Sequence, residues 1–143
     1  MNEQTQTPKI EQNRVLGRRF FEAQDHLKGG PEPALCTNGY RARIGGNPPV
    51  DRAGHEGFAR AFYEAFPDLR HEIELVVADA DHAVVRAWLK GTQRGGFLGI
   101  PATGRAIAVV MHVLLKIENG QVSELYGVFD EAGLLRQLGV PAR

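Results

Sequence analysis

The chain has 143 residues, 43% hydrophobic and 24% charged, the size and composition of one globular domain. Lys plus Arg number 17 and Asp plus Glu number 17, so the net charge is zero. That balance argues against a basic nucleic-acid-binding face and against a polybasic membrane anchor. The longest strongly apolar run, Ala106 to Leu115, is interrupted by His112 and falls well short of the roughly 20 residues of a membrane span. The opening Met-Asn-Glu-Gln-Thr-Gln-Thr-Pro lacks the apolar core of a secretory signal, so the expected location is cytoplasmic. The single cysteine, Cys36, can form no internal disulfide and reads as a small buried hydrophobe.

Residues 1–9 read as a flexible tail and 10–143 as a single domain. Val15, Leu16, Phe20, Phe21 and Ala23 recur near helical spacing and predict a helix from about Ile10 to Leu27, stopped by Gly29-Gly30-Pro31. Between 31 and 50, four prolines and Gly45-Gly46 break regular structure, leaving room for a short strand at Tyr40–Ile44. Phe58, Ala61, Phe62, Ala65 and Phe66 fall at i, i+3, i+4, i+7 and predict a second helix from about Asp51 to Phe66, ended by Pro67.

The remainder reads as a meander. Arg70–Ala78 alternates, with Ile73, Leu75 and Val77 on one face and Glu72, Glu74 and Val76 on the other. Asp79-Ala80-Asp81 is a turn, and Ala83–Thr92 is a Val-rich strand containing Trp88. Gly95–Gly104 is a loop or bulged strand, followed by a long strand, Ala106–Ile117. Asn119-Gly120 is a strong hairpin signal and Gln121–Phe129 is the returning strand. Glu131–Leu138 is a short last helix, stopped by Gly139 and Pro141. Two helices followed by four antiparallel strands make an α+β layout, with helices covering one face of a curved sheet. A cavity between that face and the helices is an ordinary small-molecule site.

Five segments carry a resemblance. They are Ala65-Phe66-Pro67-Asp68-Leu69, Gly91-Thr92-Gln93-Arg94-Gly95, Gly99-Ile100-Pro101-Ala102-Thr103-Gly104-Arg105, Lys116–Val122, and Phe129-Asp130 with Leu135–Gly139. In this order, across roughly 15 to 140, the chain resembles the SnoaL-like polyketide cyclases of the nuclear-transport-factor-2-like (NTF2-like) superfamily. The resemblance implies a cone-shaped curved antiparallel sheet with helices on its concave face, a cystatin-like roll. It also implies a homodimer through the sheet and a pocket that uses no cofactor. The sequence departs from the family in three places. Gln93 stands where Gly-Thr-His is common, Tyr126 where the last strand often has Trp, and Arg43 where the interhelical loop often has His.

The resemblance assigns Asp130 the role of general acid/base in an intramolecular aldol closure or a related isomerase or lyase reaction. The chemistry suits one carboxyl. Carbon between two carbonyls is already acidic, and a carboxyl raised toward neutrality by apolar surroundings can take one proton and return another. Asp130 also stands immediately before Glu131-Ala132-Gly133-Leu134, where Asp is a favoured helix N-cap.

A two-residue turn at Asn119-Gly120 pairs Ile117 with Val122, Leu115 with Glu124, Val113 with Tyr126 and Val109 with Asp130. That register places Glu124, Tyr126 and Asp130 on the concave face, and His112 on the opposite face with a partner subunit. Tyr126 could donate to a substrate oxygen, and Glu124 reads equally as a rim charge. Trp88 and Arg86 are candidates for lining the pocket and orienting a carbonyl or anion, or else a core tryptophan and a surface ion pair. Phe62 and Phe66 are candidates for walling it. His26, His55, His71 and His82 are scattered without ligand spacing, and no metal is expected. The sequence therefore supports an enzyme acting on a small hydrophobic carbonyl compound. A pocket that binds such a compound without turnover and a dimeric scaffold are the alternatives; hydrolysis of the limonene-epoxide type lacks a second inward aspartate.

Overall fold

The computed structural model describes residues 3–140. Helix α1 spans Glu3–Leu27, a 3-10 turn spans Pro33–Leu35, and strand β1 spans Cys36–Ile44. Helix α2 spans Arg52–Ala65; strands β2 to β5 span Arg70–Ala78, His82–Thr92, Ala106–Glu118 and Gln121–Phe129; helix α3 spans Glu131–Gln137. The five strands form one sheet in the order β1-β5-β4-β3-β2. Every neighbouring pair is antiparallel except β1 with β5, which is parallel. The sheet is therefore mixed: the short strand allowed for at Tyr40–Ile44 begins at Cys36 and joins the four strands of the meander as a parallel edge. It is curved and open, in an α+β cone arrangement.

Helix α1 begins at Glu3 and runs through Pro8, so most of the segment expected as a tail is helical. Pro8 is the sixth residue of the helix, past the four N–H groups that lack partners in any case, so it removes one intrahelical hydrogen bond near the start. Asn13 Nδ2 pins α1 to the β2–β3 turn, donating to the carbonyls of Asp79 and Ala80 at 3.0 Å each. Gly17 lets the helix lie close to the sheet: a Cβ there would sit 3.1 Å from Val76 Cγ1 and 3.2 Å from Ala83 Cβ. Phe20 and Phe66 are fully buried, each stabilising the fold by about 1.5–3 kcal/mol. Helix α2 opens on Asp51, whose side chain accepts from the Gly54 amide at 2.9 Å, and ends before Pro67 as expected.

Two β-bulges decide which side chains face inward. In β2, Ile73 pairs with Ala87 and Leu75 with Arg86, so Glu74 is the extra residue. His71 and Ile73 face inward before it, Val76 faces inward after it, and Leu75 and Val77 turn out to solvent. In β5, Ile117 pairs with Val122 as expected, but Lys116 pairs with Glu124 and Leu115 with Leu125. Ser123 is the extra residue, its Oγ donating to the Lys116 carbonyl at 3.3 Å. Every β5 side chain beyond Ser123 is thereby inverted relative to a regular hairpin. The Asn119-Gly120 turn itself forms, with both residues at positive φ (51° and 75°).

A candidate active site in the cone

The helices and the inner sheet face enclose a chamber of about 60 Å³. Phe21 and Gln24 come from α1, His55, Phe58, Phe62 and Tyr63 from α2, His71 from β2, and Met111, Leu125 and Phe129 from the later strands. The chamber is smaller than a cavity of about 150 Å³ that accepts benzene. It adjoins a groove of about 350 Å³. The two share Ile44, Phe58, Phe62, Val128 and Phe129, and the groove continues along Asn47, Phe97, Leu98 and Glu131.

Two polar side chains of the chamber wall, His71 and Tyr63, are joined through Asp25, which is not among the lining residues. Asp25 Oδ1 lies 2.7 Å from His71 Nδ1 and accepts from the Tyr63 hydroxyl at 2.6 Å, while Oδ2 accepts from the His71 backbone amide at 2.8 Å. Burial pushes the Asp25 carboxyl up, but the hydrogen bonds and charge of His71, with Tyr63, outweigh it and hold the group below its usual value. Asp25 is thus a carboxylate, and the ring nitrogen facing it, Nδ1, carries the proton. Burial, with the Asp25 hydrogen bond and charge, drives the Tyr63 hydroxyl far above its usual pKa, so it remains a donor.

A second pair lies alongside. His55 Nδ1 and the Tyr40 hydroxyl share a hydrogen bond of 2.8 Å, and their rings stack. Burial, with the nearby His71 as a lesser electrostatic cause, lowers the His55 pKa to about 4. His55 is a neutral imidazole at neutral pH.

The residues nominated by sequence divide. Phe62 lines the chamber, in contact with Phe58, Phe97 and Phe129. Phe66 packs behind it, stacked on Phe62 and edge-on to Phe97. Asp130 is exposed at the start of α3, its side chain accepting from the Gly133 amide at 2.9 Å, and it lies outside the chamber lining. Tyr126 and Glu124, expected on the concave face, lie on the outer face because the Ser123 bulge inverts them. There Arg43 sits over the Tyr126 ring at 5.4 Å. Arg86 and Trp88 also point outward, alternating with the buried Val85, Ala87 and Leu89. Arg86 pairs with Glu74, lies 2.7 Å from His112 Nε2 and sits over Trp88. His112 is on the outer face as expected, with Leu114, Tyr126 and Val128 beside it.

Gln93 is a structural anchor. Fully buried, it donates from Nε2 to the Gly95 and Ile100 carbonyls at 3.1 and 3.2 Å and accepts at Oε1 from the Thr103 amide and hydroxyl at 3.1 and 2.6 Å. These bonds tie down the loop that carries Phe97 to the groove. Among the described residues, no group of three or more His, Cys, Asp or Glu side chains is arranged to hold a metal ion.

The family profile described as SnoaL-like polyketide cyclase matches residues 33–138. The chain belongs to that family. A structure from Jannaschia sp. CCS1, provisionally named a SnoaL-like polyketide cyclase, is 26% identical, with 95% of this chain and 97% of its own covered and a TM-score of 0.82. TsrD from Streptomyces laurentii is 28% identical, with 94% and 98% covered and a TM-score of 0.72. AclR from Streptomyces galilaeus, provisionally named a hydroxylase, is 22% identical with 92% and 99% covered and a TM-score of 0.83, a likeness of fold. No curated protein sequence matches the chain. No helix among the described residues is long and apolar enough to cross a membrane.

Proposed function

We propose that this SnoaL-like protein is a cofactor-independent enzyme that moves protons on a hydrophobic carbonyl compound, with His71 as general acid/base and Asp25 as its orienting partner. The observation that carries the reading is the 2.7 Å contact between Asp25 Oδ1 and Nδ1 of His71, which lines a mostly apolar chamber. With Nδ1–H donating to the carboxylate, Nε2 is the nitrogen available to take a proton. In an aldol closure, Nε2 removes a proton from the carbon next to a carbonyl. The resulting enolate carbon forms the new bond to a second carbonyl carbon. The alkoxide so produced recovers the proton from the imidazolium, whose charge Asp25 stabilises meanwhile. Atoms and charge balance without a cofactor. On this reading Asp130 serves as the cap of α3, and the acid/base role that the family resemblance attaches to it falls to His71.

The reading extends to assembly as a homodimer through the outer sheet face. Leu75, Val77, Val84, Leu114, Tyr126 and Val128, exposed on β2 to β5, support it. The test of the chemistry is exchange of the α-protons of 2-tetralone in D2O, followed by NMR. The wild type accelerates exchange and His71→Asn does not. Equal acceleration by both would remove His71 from the reaction.

A further inference from the structure

Gln24 is the polar group of the chamber that the hydrogen-bond networks leave out. It is 5% exposed, and its Oε1 is buried with no hydrogen-bond partner. The other buried polar side chains are all engaged: Asn13 with two carbonyls, His55 with Tyr40, Gln93 with its loop, Ser123 with Lys116. An unpaired buried acceptor costs stability, whereas leucine at the same place on α1 would fill the space without that penalty. Gln24 lines the chamber beside Phe21, one residue before Asp25, so its side chain borders the same space as His71.

We propose that Gln24 Oε1 accepts a hydrogen bond from a hydroxyl of the ligand. The site therefore takes phenols or enols in preference to molecules of the same shape without an O–H. This rests on the chamber being the ligand site, as argued above, and names the class of ligand. The chemistry follows from the inventory of atoms. An amide oxygen only accepts, so its complement is a donor. An enolised 1,3-dicarbonyl or a phenol carries that donor on the edge of a flat apolar skeleton. Phe21, Phe58 and Phe62 suit the faces of such a skeleton, and the small chamber suits its hydroxylated end.

The experiment compares 2-naphthol with 2-fluoronaphthalene, each titrated into the wild type and into Gln24→Leu, with thermal unfolding of both ligand-free proteins. The wild type is expected to bind 2-naphthol about tenfold more tightly. Gln24→Leu is expected to lose that preference while its ligand-free form melts no lower than the wild type, a combination that a merely structural glutamine does not give. The wild-type comparison decides by itself if the variant fails to fold. Equal affinity for the two probes, or a preference that survives in Gln24→Leu, overturns the proposal while leaving the chamber as the ligand site. Binding of neither probe overturns both.

Discussion

His71 Nδ1 lies 2.7 Å from Asp25 Oδ1 although 46 positions separate the two residues in the chain. The pair joins α1 to β2, so it ties the fold together at the place where the chemistry is proposed. The His71 side chain is 5% exposed and that of Asp25 22%. Removing either leaves the other short of partners in a poorly solvated place. Asp25→Ala is expected to cost about 1–3 kcal/mol in urea unfolding at pH 7. His71→Asn is expected to slow α-proton exchange by about 10²-fold or more, the usual contribution of a general acid/base. Because the Asp25 carboxyl is held below its usual value in the fold, its contribution is present above the unfolded value of 3.8 and fades as pH falls through the lower folded one. An Asp25→Asn protein that matches wild type in stability at pH 7 would contradict this account.

His55 predicts a second pH dependence, in a higher window. Its ordinary value of 6.5 falls to about 4 in the fold. Between those limits the unfolded chain binds the proton and the folded chain does not, so stability rises with pH. The contribution is complete above about 6.5 and lost progressively toward 4, about 2 kcal/mol of it by pH 5, where most carboxylates are still ionised. Urea unfolding at pH 7.5 and pH 5 should show a clearly smaller loss for His55→Gln than for the wild type. An identical loss in both would mean that other groups set the acid sensitivity.

Local chemistry made most of this fold legible from the residues. Gly, Pro and Asn-Gly punctuation placed β2, β5 and the termini of α2 within a residue of where they stand. Side-chain direction was less legible, because strand parity assumes an unbroken pleat. One extra residue at Glu74 and another at Ser123 reverse the assignments beyond them, and neither position carries a Gly or Pro to announce a bulge. Tyr126 and Glu124 were misplaced for that reason alone. The Asp25, His71 and Tyr63 network was hidden for a different one. Its members sit on three elements and have no shared spacing, so only the packed cone brings them together. The available signal was weak: His71 has the parity of the inward Ile73 on β2.

Asp130 separates a cap from a catalyst. Asn accepts the Gly133 amide hydrogen bond as well as Asp does, so Asp130→Asn should change stability little, whereas Asp130→Ala should lose about 1 kcal/mol. With the chemistry at His71, Asp130→Asn should also keep the acceleration of 2-tetralone exchange. Loss of exchange in Asp130→Asn with stability intact would return the acid/base role to Asp130 and leave His71 a structural partner of Asp25.

The outer sheet face predicts the oligomeric state. Val77 and Val128 are 55% and 57% exposed, and Val77, Val84, Leu114 and Tyr126 stand side by side across four strands, so with Leu75 they make a row of apolar side chains rather than scattered ones. Arg43 stacks on Tyr126, and Arg86 pairs with Glu74 and His112, so the charges on this face already have neighbours. A second copy covering this face, as proposed, would meet the same patch across a two-fold axis through the sheet. Sedimentation equilibrium should give twice the chain mass of 15.7 kDa. Leu114→Glu places a charge in the patch without touching the inner core, since Leu114 alternates with the buried Val113 and Leu115. It should shift the mass to that of one chain while leaving the far-UV spectrum unchanged. A wild type that sediments at 15.7 kDa at tens of micromolar would sink the dimer and leave the exposed face to some other partner.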